Sequence, residues 1–106
     1  MKIQIEIHQD TFENLMGGCD SRYWAEVKRV ENDDGTDSVL VREHNAEAHT
    51  EPGPWILLCD DTRRRGLERL AVADPMQFGR ALDNTADGRT SDIWLQLAVL
   101  GEVKYG

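Results

Sequence analysis

Residues 22–44, RYWAEVKRVENDDGTDSVLVREH, decide the fold class. In an extended chain Tyr23, Ala25, Val27 and Arg29 fall on one side, and Trp24, Glu26, Lys28 and Val30 on the other. Aromatic and β-branched residues repeating at period two favour a strand. Asp33-Asp34-Gly35 is a turn signal, because glycine enters the left-handed backbone region without steric cost. Val39 and Val41 then alternate with Leu40 and Arg42. The stretch predicts an antiparallel hairpin across residues 22–44.

Upstream, KIQIEIH at 2–8 places Ile3, Ile5 and Ile7 on one face, which predicts a further half-buried strand. Asp10 or Thr11 offers a cap for a short helix, TFENLM, closed by Gly17-Gly18. Downstream, NAEAHTEPGP at 45–54 reads as a loop, and the apolar run WILLC at 55–59 as a buried strand. Asp60 or Asp61 then caps a helix over 62–73 with Leu67, Leu70 and Ala71 facing inward. Gly66 inside that helix costs about 1 kcal/mol relative to alanine, which points to close packing against a neighbour. Pro75 suits the first turn of a helix over 75–83, and Thr90 or Ser91 caps a last helix over 92–103. The expected architecture is one α+β domain over 1–106, ordered β-α-β-β-β-α-α-α, with helices on one side of a small antiparallel sheet.

The last helix is apolar all round, and Gln96 alone interrupts Ile93, Trp94, Leu95, Leu97, Ala98, Val99 and Leu100. Such a helix must be covered on every side. Two arrangements achieve this: a central position within the domain, or a homodimer interface built on Trp94, Leu95 and Val99.

Composition is ordinary for a globule, 40% hydrophobic and 30% charged, and the net charge is −8. Its distribution is uneven. Residues 1–61 carry fourteen acids and five bases, a net of −9, and residues 62–106 carry six acids and seven bases, a net of +1. A front half this anionic repels free nucleic acid and attracts cationic partners. No apolar run is long enough for a membrane span, and the alternating MKIQIEIHQD lacks the apolar core of a signal peptide. The expected compartment is the cytoplasm, with Cys19 and Cys59 reduced.

The motifs of common chemistry are missing. His8, His44, His49, Cys19 and Cys59 lack metal-ligand spacing, and no glycine-rich phosphate loop occurs, so neither metal nor cofactor is expected. The pair Asp60/Asp61 either caps a helix or holds a divalent cation. Arg64, Arg65 and Arg69, with Arg63, either grip an anion or form a solvated helix face. The acidic set Glu26, Glu31, Asp33, Asp34, Asp37 and Glu43 spans the hairpin. It serves either solubility or partner binding in imitation of a phosphate backbone.

Gly17-Gly18, Tyr23-Trp24-Ala25, Arg65-Gly66-Leu67-Glu68-Arg69-Leu70, Ser91-Asp92-Ile93, Leu95–Val103 and Tyr105-Gly106 form an ordered set across most of the chain. The set resembles a group of short proteins encoded by bacteriophages, prophages and mobile elements. The resemblance carries over no catalytic residue. It implies a non-enzymatic accessory protein that binds and modulates a host protein or ribonucleoprotein complex handling nucleic acid, such as restriction or CRISPR machinery. A homo-oligomeric module and a binder of an anionic metabolite through Arg63–Arg69 are the alternatives.

Overall fold

The computed structural model describes residues 9–17, 21–44, 51–83 and 85–105. The strand expected at 2–8, together with Cys19, His8 and His49, lies outside them. Within them the chain is an α+β fold, with a three-stranded antiparallel sheet and four helices. The order is α1 (Gln9–Gly17), β1 (Ala25–Glu31), β2 (Asp37–Glu43), β3 (Ile56–Leu57), α2 (Asp60–Ala73), α3 (Pro75–Leu82) and α4 (Gly88–Val99).

The hairpin forms as its alternation requires. β1 and β2 pair from Ala25↔Glu43 to Glu31↔Asp37, and β3 pairs with β2 at Leu40↔Leu57 and Val41↔Ile56. Gly35 closes the turn at φ 86°, a backbone setting that most side chains resist. Val39 and Val41 enter the core, whereas Val27 and Val30 on β1 remain exposed, so only the first residue of β1, Ala25, is buried. The hairpin is anchored at its base and projects at its tip.

WILLC is a correction. Only Ile56 and Leu57 pair as a strand, and Leu57 is 46% exposed, while Leu58 turns into the core. The run is apolar because it crosses from the sheet's outer face to the core, not because both its faces are covered.

Helix α2 starts on Cys59, whose side chain makes no cap, so Asp60 and Asp61 occupy the first turn rather than the cap position. There they still complement the positive end of the helix dipole. Helix α4 begins earlier and ends earlier than its apolar run suggested. Asp87 is its cap, its side chain accepting from the Thr90 amide at 2.9 Å while the Thr90 hydroxyl oxygen accepts the Asp87 amide at 3.4 Å in a capping box. Thr90 and Ser91, expected as caps, are fully buried in its first turn.

The position of α4 resolves the choice left open by its composition. It lies at the centre of the domain, with Ile93, Trp94, Leu95, Gln96, Leu97 and Ala98 all buried. α2 crosses it closely at Gly66, where an added Cβ would stand 2.7 Å from Ala98 Cβ and 2.9 Å from Trp94 Nε1. Trp94 fills this crossing and donates its indole N–H to the Arg63 carbonyl at 3.2 Å. Gly66→Ala should therefore lower thermal stability although alanine is the better helix former, since overpacking costs about 1–3 kcal/mol. Gly79→Ala in α3, with nothing within 4 Å of its Cβ position, should raise it by up to about 1 kcal/mol. Paired melting curves of the two variants check this.

Candidate docking surface and the clasp beneath it

Asp92 and Gln96 sit one turn apart on α4 and organise the base of the hairpin. Asp92 Oδ1 accepts from Ser21 Oγ at 2.6 Å and from the Trp24 indole N–H at 2.7 Å. Its Oδ2 accepts from the Tyr23 hydroxyl at 2.5 Å and from Gln96 Nε2 at 3.1 Å. Gln96 Nε2 also donates to the Tyr105 carbonyl at 2.9 Å, and Gln96 Oε1 accepts the Lys104 and Tyr105 amides, each at 2.8 Å. The buried amide thus has both donors and its acceptor engaged, which makes a polar side chain tolerable at 0% exposure.

The tail so held lays Tyr105 on the hairpin. Its ring stacks on Trp24 at a centroid distance of 5.8 Å and meets Tyr23 edge-on at 6.3 Å. Its hydroxyl donates to Glu43, which also accepts from Lys104 Nζ at 2.8 Å. These bonds, Lys104 first, hold the Glu43 carboxyl below the usual glutamate range and raise the Lys104 ammonium above its usual value.

The six acidic residues expected as one surface separate into two groups. Glu26 and Glu43 lie at the hairpin base and are engaged. Glu26 pairs with Arg42 at 3.0 Å across the strands and with His44, and the Arg42 hydrogen bond lowers its carboxyl pKa. Glu31, Asp33, Asp34 and Asp37 lie at the tip, about 17 Å further along at ~3.3 Å per residue. All four are exposed. Asp34 accepts from the Thr36 amide at 3.0 Å and hydroxyl at 2.6 Å, bonds that favour its charged form. Asn32 bonds Thr36 and Ser38 across the turn at 3.1 and 3.0 Å. The tip is a fixed shape. Among the described residues no lysine or arginine bridges Glu31, Asp33 or Asp37.

The arginine patch is also a correction. Arg69 Nη1 donates to the Leu97 carbonyl at 2.7 Å, so this side chain closes the C-terminal end of α4 instead of joining an anion grip. Arg64 and Arg65 are exposed, and Arg63 pairs with Asp60 at 3.6 Å. Trp94 and Leu95, expected at a dimer interface, are 0% and 1% exposed inside the chain's own core, and Val99 is half-buried against it. A second copy cannot reach the first two.

Among the described residues no three His, Cys, Asp or Glu side chains gather in a metal-binding group. No described helix is long and apolar enough to cross a membrane. Cys59 lies beside Thr62, sulfur to hydroxyl 3.4 Å, a contact that lowers its thiol pKa.

Sequence reasoning had no role for Asp92, Tyr23, Gln96 or Tyr105 as a unit. The one available signal was Gln96 itself, a lone amide in a helix that must be buried and so must find partners. Asp92→Asn keeps the size but replaces one acceptor oxygen with a donor that faces other donors. It should cost about 1–3 kcal/mol of stability, read as a lower urea midpoint with an unchanged slope. No protein-family model, curated protein or solved structure matches this chain, so its function is argued from these surfaces.

Proposed function

We propose that the chain is a docking protein whose acidic hairpin tip occupies a basic surface on a macromolecular partner, of the kind that otherwise binds nucleic acid. The observation that carries this reading is the cross-strand pair Glu31↔Asp37. Like charges directly opposite each other in a sheet are destabilising by a few tenths of a kcal/mol or more. Asp33 and Asp34 add to the same field in the adjoining turn, and all four side chains are exposed. A hairpin that needed only solubility would gain stability from a lysine at either member of the pair.

A preorganised cluster of carboxylates, held by the Asp34–Thr36 and Asn32–Ser38 hydrogen bonds, loses little freedom on binding and steers a cationic partner from a distance. The resemblance to phage-encoded proteins fits this mode and suggests the partner: a host complex with a basic nucleic-acid channel. Binding of that kind weakens as salt rises, since exposed charges are screened beyond about 10 Å at 0.1 M.

Asp37→Lys separates docking from folding. It turns a like-charged pair into an opposite one, so the thermal midpoint should hold or rise, while partner capture from host lysate should fall, further still with Asp33→Lys added. Competition by duplex DNA should release the same partner from the wild-type protein. Equal capture of that partner by the double variant would contradict the reading.

A further inference from the structure

The inner face of the sheet, where Val39 and Val41 enter the core, also carries Arg29, which pairs across the strands with Val39. Between this face and α1 lies a cleft of about 230 Å³. Phe12, Met16 and Val39 give it an apolar wall, and Glu13 also lines it. Arg29 of β1 and Arg63 of α2 bring two cations to it from elements far apart in sequence. The Arg63 side chain is only 22% exposed, and its Nε–H is buried with no acceptor among the described residues. Asp60, its ionic neighbour, stands at 3.6 Å, beyond hydrogen-bond range, with its own carboxylate in solvent. The partly buried Arg42 and Arg69, by contrast, donate to Glu26 and to the Leu97 carbonyl. Arg29 has no ion pair among the described residues.

A guanidinium presents five donors in a planar fork that matches carboxylate and phosphate, and a buried donor left unmet is costly. We infer that this cleft binds a small organic oxyanion, its carboxylate or phosphate held between Arg63 and Arg29 and its apolar body on Phe12, Met16 and Val39. Size limits the ligand. A cavity of about 150 Å³ takes benzene, so 230 Å³ accommodates one ring with its charged group. Charge sets a second limit. Glu13 lines the cleft, and Glu31 and Asp37 lie one pair further toward the tip on the same face. These carboxylates repel a bare anion, so the apolar body has to supply part of the affinity. The site differs from the anion grip expected on the outer side of α2, since Arg64, Arg65 and Arg69 take no part in it.

Proton–nitrogen correlation NMR of the purified protein, with the arginine Nε–H signals included, tests this. Benzoate or phenyl phosphate should move the Arg63 and Arg29 Nε–H signals and the Phe12 and Val39 amides, saturating at about millimolar concentration or below. The tighter of the two probes identifies the head group. Benzamide, which has the shape without the charge, should bind about tenfold or more weakly, and so should acetate and inorganic phosphate, which have the charge without the ring. Arg63→Met should lose about tenfold or more in affinity while its thermal midpoint holds or rises, because an apolar chain replaces a buried charge. If the midpoint falls instead, Arg29→Gln decides, since that side chain is exposed and its loss leaves the fold intact; undiminished binding there overturns the site. So does the absence of any Arg63 shift with both probes, equal binding of benzamide, acetate or inorganic phosphate, or full affinity in Arg63→Met. None of these measurements involves the docking partner, so each proposal can fail without the other.

Discussion

The Asp92 carboxylate, accepting from Ser21, Tyr23, Trp24 and Gln96, is the junction on which the arrangement of sheet, central helix and C-terminal tail depends. Its donors lie about seventy positions upstream, apart from Gln96 on its own helix. Without it, the indole N–H of the fully buried Trp24 loses its acceptor, and an unmet buried donor costs as much as several ordinary surface contacts contribute. Gln96 extends the junction to the tail through the Lys104 and Tyr105 amides. A single helical turn of α4 therefore ties together three parts of the chain that are far apart in sequence.

This economy explains why the hairpin can project. Ala25, Val39 and Val41 supply its only apolar anchoring among the β1 and β2 residues, and beyond them the strands have exposed side chains. Polar fixation of Tyr23 and Trp24 at its root, with Tyr105 stacked on Trp24, compensates for that thin contact. The tip is then free to carry carboxylates that the core could not accommodate.

Much of the fold was legible from local pattern. Alternation marked β1 and β2, Asp33-Asp34-Gly35 marked their turn, and the misplaced glycine at 66 marked the closest helix crossing. The all-apolar α4 announced its own burial, and the domain's centre proved sufficient to cover it. Its start was misplaced because the box at Asp87–Thr90 encloses a glycine and an arginine that look like loop. The site was harder to read. Whether Glu43 faces solvent or Tyr105, and whether Arg69 meets an anion or the Leu97 carbonyl, depends on contacts between distant segments that no spacing rule encodes. The division of the acidic set into an engaged base and an open tip is of the same kind: it follows from which carboxylates find a long-range partner.

Residue-resolved amide hydrogen exchange measures the junction directly. If Gln96 binds the tail as described, the Lys104 and Tyr105 amides, although outside any helix or strand, should exchange as slowly as the middle of α4, through global unfolding. The amides of Asp33 and Asp34 in the same experiment should exchange rapidly. Exchange at Lys104 and Tyr105 at the rate of an unstructured peptide would contradict the clasp and, with it, the anchoring of the hairpin.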